Sequence, residues 1–191
     1  MKNAVILHGK PKKEKYFDLS LPKPHEANWL PTVGAELESR GVEVSTPALP
    51  APYAPKYSAW RQVVDKLLIN EQTGLIGLSA GAGFLVRYLS ESPDLQVERV
   101  VLIAPWHDRD HKYGKDLFDY TIDPNLAKRA GRITIFNSLD DGVNIQAGVA
   151  MLREAIPGVH YRKFQDYGHF MLGNNMTSNE LPELIEELFT D

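Results

Sequence analysis

Short apolar runs alternate with amphipathic stretches along most of the 191-residue chain. Most of these runs are nearly continuous in aliphatic and β-branched residues, which is typical of strands in a parallel sheet that helices cover on both faces. The last run is more polar and indicates an edge strand. The predicted strands are Ala4–Leu7, Val42–Ser45, Leu75–Leu78, Val100–Ala104, Ile133–Phe136 and Val159–Phe164.

Apolar residues at helical spacing separate these runs. We expect Gly41 to end the first of the helices and Ser58 to cap the second. Ser178 or Asn179 is placed to cap the last helix, with Pro182 in its first turn. The patterns cover residues 29–37, 60–68, 84–89, 145–152 and 181–189.

Strands that alternate with helices predict an α/β fold with right-handed crossovers. We expect one domain over residues 1–191, a three-layer sandwich around a predominantly parallel sheet of about six strands. At this length there is no room for a separate cap domain. Any lid would have to come from two segments without period, Lys10–Pro24 and Trp106–Pro124.

Composition narrows the classes of function. The net charge of −4 argues against a nucleic-acid partner, which requires a basic surface. The chain has no cysteine, and this excludes a disulfide framework, a cysteine-ligated metal and a thiol nucleophile. The first apolar run is too short for a signal sequence or a membrane span, so we expect a cytoplasmic protein that does not bind membranes.

Ser79 is the candidate nucleophile. It is the central residue of Gly77-Leu78-Ser79-Ala80-Gly81, placed where a predicted strand ends and an apolar helix begins. In this context the G-x-S-x-G pattern places a serine on a sharp turn, with its hydroxyl exposed above the sheet. The glycines lack the Cβ atoms that would collide as strand and helix close together. The alternative is an ordinary serine in a tight turn.

A serine hydroxyl needs a base and an orienting acid, which in this fold follow it in the order Asp, then His. Asp140 and Asp141 follow the predicted strand Ile133–Phe136, and His169 follows the last strand. Both positions lie at strand carboxyl ends, on the same rim as Ser79. The sequence therefore predicts a Ser-His-Asp triad, with either aspartate as its acid.

Backbone N–H groups near the serine are expected to form an oxyanion hole. The expected donors are Ala80, which follows the serine, and Lys10, in the loop after the first strand. Strand-end positions also place Trp106, Phe170 and Met171 beside the triad, as candidate substrate-binding residues or as ordinary packing.

The remaining histidines and glycines suggest no further chemistry. His25 and His160 are explained by surface positions, and His107 and His111 could share a helical face but lack an evident third metal ligand. Gly81-Ala82-Gly83 follows a strand but lacks the later glycine of a dinucleotide-binding loop. We therefore expect neither a metal nor a cofactor.

Several segments together resemble the small α/β-hydrolase family that includes retinoblastoma-binding protein nine and the bacterial YdeN-type serine hydrolases. The resemblance extends over residues 4–10 and 25–190. The segments are His8-Gly9, Asn28-Trp29, Leu37 to Gly41, Val44 to Pro47, Pro50, Ser58 to Trp60, Gly77 to Gly81, Ser138 to Asp141, and Gly168-His169-Phe170.

This resemblance implies a cap-less α/β hydrolase with esterase- or amidase-like activity toward small substrates. It implies Ser79 as nucleophile, His169 as base and Asp141 as acid. Gly142-Val143-Asn144 departs from the family's Pro-x-Val-Pro-like run after the acid, which leaves Asp140 as a substitute. The stretch after Gly9, rich in lysine and aromatic residues, also departs from the family's short turn. The assignment of Lys10 as an oxyanion-hole donor depends on the form of this loop.

A second hypothesis is a protein-binding module on a hydrolase scaffold, with weak or no turnover. Family precedent for protein partners and four aromatic residues expected at the surface favour it. The complete candidate triad argues against it. These aromatic residues are Tyr16, Phe17, Tyr113 and Tyr120.

Overall fold

The computed structural model describes residues 1–108 and 115–190. Within them, six parallel strands form one sheet, and each lies at a predicted position. The strands are β1 (Asn3–Leu7), β2 (Glu43–Ser45), β3 (Thr73–Leu78), β4 (Val97–Ile103), β5 (Ala130–Ser138) and β6 (His160–Phe164), in the spatial order β2-β1-β3-β4-β5-β6. A separate pair of two-residue strands follows, β7 (Met171–Leu172) and β8 (Asn175–Met176).

Helices connect the strands in the described residues. Short 3-10 turns occur at Pro24–Glu26 and Leu126–Lys128. The helices are α1 (Lys13–Phe17), α2 (Leu30–Ser39), α3 (Tyr57–Val64), α4 (Ala80–Ser90), α5 (Lys115–Phe118), α6 (Val143–Ala155) and α7 (Pro182–Phe189).

The sheet lies inside the molecule. Every residue of β1 and β3 is buried, so both faces of the central sheet are covered, as the predicted three-layer sandwich requires. The polar strand β6 lies at one edge of the sheet, which confirms that prediction. The described residues form no separate cap domain.

The end of α2 is the one predicted. Gly41 has a φ of +81°, its N–H donates to Glu38 O at 2.9 Å, and Val42 N–H donates to Leu37 O at 3.1 Å. This is a Schellman arrangement, in which a left-handed glycine closes the last helical turn.

The start and end of α3 differ from the prediction. The helix begins at Tyr57 rather than after Ser58, and the Asp116 carboxylate accepts a hydrogen bond from Tyr57 N–H at 2.6 Å. A side chain far away in sequence thus replaces the local cap. The apolar pattern also runs past the helix, which ends at Val64 and leaves Leu68 exposed.

The predicted caps of α7 are also wrong. The helix begins at Pro182, after Leu181, and no cap side chain bonds to its first turn. Ser178 Oγ instead accepts a hydrogen bond from Glu180 N–H at 3.0 Å, so it closes a turn before the helix, and Asn179 is exposed. Pro182 does occupy the first turn, where a missing N–H costs little.

The two segments expected to be irregular contain short helices. α1 lies within Lys10–Pro24, and α5 lies within Trp106–Pro124. His111 and Tyr113 lie outside the described residues.

The strand order reverses direction at β1. β2 pairs with one side of β1, and β3 pairs with the other. In open parallel sheets such a reversal leaves a crevice outside the carboxyl ends of the two neighbouring strands. The residues that follow Leu7 and Leu78 therefore border a natural ligand crevice.

The first turn of α4 packs directly on the end of β1. A Cβ atom at Gly81 would lie 2.6 Å from Leu7 O and 2.7 Å from His8 O, and one at Gly77 would lie 2.6 Å from Ala82 Cα. Only glycine leaves room for these main chains, as the sequence predicts.

His8 is buried at the end of β1. Its Nε2 accepts a hydrogen bond from Leu49 N–H at 3.2 Å, so Nδ1 carries the proton and donates to Gly9 O at 2.9 Å. Burial lowers the pKa of His8 from 6.5 to about 4, the bond to Gly9 O opposes this, and nearby His25 adds a smaller lowering. A neutral imidazole therefore joins β1 to the segment after β2.

We expect Gly81→Ala to destabilise the protein by about 1–3 kcal/mol, because the new methyl group has no space beside the β1 carbonyls. Urea unfolding measures this. Gly142→Ala is the control, because Gly142 has a φ of −58° and a Cβ there would meet nothing within 4 Å. Equal stability of the two variants would contradict the close packing.

We expect the free energy of unfolding to fall as the pH drops from about 6.5 to about 4 through the contribution of His8. In this range His8 is protonated in the unfolded state but stays neutral in the folded state, because folding lowers its pKa. The contribution amounts to about 2–3 kcal/mol at the acid end. Urea unfolding of wild type and His8→Gln across this range isolates it, and parallel pH profiles would contradict it.

Candidate active site

Ser79 occupies the turn between β3 and α4. Its φ is +54° and its ψ is −113°, a conformation that non-glycine residues rarely adopt. Ser79 N–H donates to Ile103 O at 2.8 Å, and Ser79 O accepts from Gly83 N–H at 3.0 Å and from Trp106 N–H at 3.1 Å. The main chain is thus fixed on both sides, with the side chain at the N-terminus of an eleven-residue helix.

His169 contacts Asp141. The distance from His169 Nδ1 to Asp141 Oδ2 is 2.8 Å, and the second carboxylate oxygen accepts a hydrogen bond from Gly142 N–H at 2.6 Å. The Asp141 side chain is only 6% exposed, and that of His169 is 18% exposed. A carboxylate at Nδ1 fixes the tautomer in which Nε2 has no proton and can accept one.

Asp140 lies next to this pair but has different partners. Its carboxylate accepts hydrogen bonds from Ser138 Oγ, from Asn175 Nδ2 and from Gly168 N–H, the last at 3.0 Å. Hydrogen bonds to the Ser138 and Asn175 side chains are the main reason that the pKa of Asp140 lies below its usual value. Asp140 therefore holds the loop in front of His169 rather than His169 itself.

Two residues near the start of α2 hold the other side of the same loop. Trp29 Nε1–H donates to Phe170 O at 3.0 Å, and Asn28 Oδ1 accepts from Leu172 N–H at 3.3 Å. No sequence motif predicts a role for these two residues in the site. Their pairing with residues more than 140 positions away has no local signal, although Asn28-Trp29 is among the segments that carry the family resemblance.

Two cavities meet at the candidate site, and Ser79 and His169 line both. The first cavity has a volume of about 220 Å³ and lies toward α1; the second has about 430 Å³ and lies toward the start of α6. The first is also lined by Lys10, Lys15, Tyr16, Leu21, Asn28 and Met171, and the second by Lys10, Trp106, Val143 and Asn144.

The three predicted substrate-binding residues have different positions. Met171 lines the first cavity and Trp106 the second. Phe170 lines neither: its side chain is fully buried and packs on Phe136 and Phe164, as the alternative of ordinary packing describes. A φ of +53° at Phe170 turns the chain so that this ring enters the core.

The residues expected to donate to an oxyanion lie beside Ser79. Ala80 is the buried first residue of α4, and Lys10 lines both cavities. The loop after β1 also approaches the serine closely, because a Cβ atom at Gly9 would lie 3.1 Å from Ser79 Cβ.

The other candidate histidines that the structure describes line neither cavity. His160 is exposed on β6, His25 is half-buried 6.3 Å from the His8 ring, and His107 packs on Phe118. Among the described residues no group of three metal-ligating side chains occurs. The described helices include none with the length and apolar character of a membrane span.

Tyr120 differs from the expectation of an exposed aromatic residue. Its side chain is half-buried with an enclosed hydroxyl, and the Arg87 guanidinium lies 5.6 Å from its ring centroid. Phe17 is exposed as expected, and Tyr16 is half-buried against it.

The fold has relatives among solved structures, although neither a family model nor a curated protein matches the sequence. The ydeN gene product from B. subtilis has a TM-score of 0.77 over 100% of both chains, at 19% identity. A putative hydrolase from Agrobacterium vitis S4 has 0.63, over 98% of this chain and 88% of that one, at 15% identity. Carboxylesterase CesB (YbfK) from Bacillus subtilis has 0.56, over 96% and 80%, at 16% identity.

At these identities the similarity concerns the fold. The match to the ydeN gene product extends over the full length of both chains, and a mouse alpha/beta hydrolase domain-containing protein also matches, with a TM-score of 0.52. This confirms the fold that the sequence motifs predict. The chain has the α/β-hydrolase fold, in the small form of the YdeN structure.

Proposed function

We propose that the protein is a serine hydrolase that cleaves small ester or amide substrates through an acyl-Ser79 intermediate. The observation that carries this proposal is the His169–Asp141 pair at 2.8 Å, with His169 lining both cavities together with Ser79. The names of the structural relatives, a putative hydrolase and a carboxylesterase among them, agree with it. The α/β-hydrolase fold alone would not support a hydrolase function, because one fold hosts many functions.

In the acylation step, Ser79 Oγ attacks the substrate carbonyl carbon while His169 Nε2 takes the hydroxyl proton. Asp141 stabilises the imidazolium that forms and keeps its proton on Nδ1. The imidazolium then gives its Nε2 proton to the leaving alcohol or amine, and the acyl group stays on Ser79.

The negative charge on the carbonyl oxygen is stabilised by the N–H groups of Ala80 and Lys10. Ala80 contributes an N–H of the first turn of α4, where free N–H groups and the helix dipole favour an anion. The close approach of Gly9 to Ser79 brings the β1 loop to the same side. In the second step, water attacks the acyl group and His169 again moves the proton.

A protein-binding role without turnover is the second candidate. Phe17 is 57% exposed and packs edge-on against Tyr16, which lines the first cavity, and Leu19 is 91% exposed. Exposed apolar side chains of this kind favour contact with a partner. Stable copurification of a partner, together with no reaction at Ser79, would favour this role over hydrolysis.

We expect a fluorophosphonate probe to label the wild type and to leave Ser79→Ala unlabelled. Ester hydrolysis by this variant should fall by at least about 10³-fold, because the nucleophile is lost. Ser58→Ala, at an exposed serine on α3, is the matched control and should be labelled like the wild type. Equal labelling of the wild type and Ser79→Ala would contradict the proposal.

Asp141 and Asp140 allow a matched comparison of neighbouring carboxylates. We expect Asp141→Asn to lower kcat by about 10³–10⁴-fold, because the amide favours the wrong histidine tautomer. Asp140→Asn should lower it by less than about tenfold, since the amide oxygen still accepts from Gly168 N–H. Steady-state kinetics on one ester measure both, and the reverse ranking would make Asp140 the acid.

A further inference from the structure

The first cavity has an uneven distribution of charge. Its walls include apolar side chains such as Leu21 and Met171, and its permanently charged residues are Lys10 and Lys15. The lining contains no aspartate or glutamate. A chain with net charge −4 thus presents two lysines and no acid to the space in front of Ser79.

Neither lysine is neutralised by a neighbour among the described residues, because no carboxylate there lies within ion-pair distance of Lys10 or Lys15. The segment from Lys10 to Lys23 has five lysines and two acids, Glu14 and Asp18. Asp18 is engaged by Ser20, whose N–H and Oγ donate to Oδ1 at 2.9 and 2.6 Å. The positive charges therefore remain available to a ligand.

Lys15 is carried by a helix that is held in place. The ring of its neighbour Tyr16 lies 5.2 Å from that of Tyr53, and Lys23 Nζ lies 5.1 Å from the same Tyr16 ring. Lys23 Nζ also donates to Tyr16 O at 3.2 Å. These contacts fix α1 beside the cavity, so little order has to be created when a ligand binds.

We propose that the substrate group that occupies the first cavity is a short apolar chain ending in a carboxylate, which Lys15 and Lys10 bind. This rests on the proposed hydrolase function and names its substrate class. The apolar walls suit the chain, and the ammonium groups suit the carboxylate. A volume of about 220 Å³ is small for a ligand site and favours a short chain over a bulky anionic group.

The reaction on such an ester is ordinary hydrolysis. The bond from the carbonyl carbon to the alcohol oxygen breaks, water supplies a hydroxyl to the carbon and a proton to the alcohol, and no oxidant or reductant takes part. When the carboxylate belongs to the acyl half, the products are a dicarboxylic acid and an alcohol.

The test compares matched esters that differ in the charge of one carboxyl group, which is free in one member and methylated in the other. The anionic substrates are the mono-4-nitrophenyl esters of succinate, glutarate and adipate, and the neutral partners have the far carboxyl group methylated. A second pair places the carboxylate on the alcohol, as butyrate esters of 4-hydroxybenzoic acid and of its methyl ester. Rates are taken above the Ser79→Ala background, because a neighbouring carboxylate speeds spontaneous ester cleavage.

We expect the wild type to prefer the anionic member of one pair by about tenfold in kcat/KM, and the preference should shrink at high salt. Lys15→Met should bring the ratio of kcat/KM for the anionic ester to kcat/KM for its neutral partner close to one. Lys12→Met is the matched control, because it removes the same charge from the same segment at an exposed position outside the cavity lining. Lys15→Glu should reverse the preference toward an ester with an ammonium group.

The outcomes separate the two proposals. The carboxylate site is refuted, and the hydrolase proposal remains, if the wild type hydrolyses neutral esters at Ser79 but shows no preference for the anionic esters. The same conclusion follows if Lys12→Met and Lys15→Met lose the preference equally. If no ester is hydrolysed and Ser79 is not labelled by a fluorophosphonate, both proposals fall. A preference that depends on Lys15 in the acyl or the alcohol pair supports the site and identifies which half of the ester the first cavity holds.

Discussion

Three stretches of main chain converge at Ser79 with almost no space between them. The end of β1, the end of β3 and the first turn of α4 approach so closely that a Cβ atom at Gly81 would lie 2.6 Å from the Leu7 carbonyl oxygen. This contact forces the chain to turn within one residue, and Ser79 adopts a φ of +54°. Because such a conformation is costly for a residue with a side chain, the surrounding hydrogen bonds have to hold it. The crevice, the helix N-terminus and the serine are therefore brought together by one packing constraint.

The other half of the site depends on a loop that the core does not hold by itself. The segment from Tyr167 to Leu172 is tied by hydrogen bonds from both directions, to Asp140 on one side and to Trp29 on the other. Phe170 adds an apolar anchor that points inward. His169 lies between these attachments with Asp141 at its Nδ1, so the imidazole is oriented before any substrate arrives.

The strands could be predicted because a strand buried on both faces needs a continuous run of apolar residues, and such a run is visible in the local sequence. Their ends were not, since polar residues there are satisfied by partners far away in sequence. Thr73 extends β3 beyond the apolar run and donates a hydrogen bond to Asn3 Oδ1 at 3.0 Å. The start of α3 is another example, because its first N–H, that of Tyr57, donates to the distant Asp116 carboxylate. Among candidate site residues, the G-x-S-x-G pattern correctly predicted a sharp turn at Ser79, whereas the inward direction of Phe170 depends on a backbone angle that no local pattern encodes.

The proposed hydrolase reaction requires a covalent acyl group on Ser79. Rapid-quench mass spectrometry of the wild type mixed with a 4-nitrophenyl ester tests it directly. We expect an early adduct with the mass of the acyl group, located on the peptide that contains Ser79, which disappears as substrate is exhausted. Ester hydrolysis with no acylated Ser79 at any time, or with the acyl group on another residue, would contradict the account.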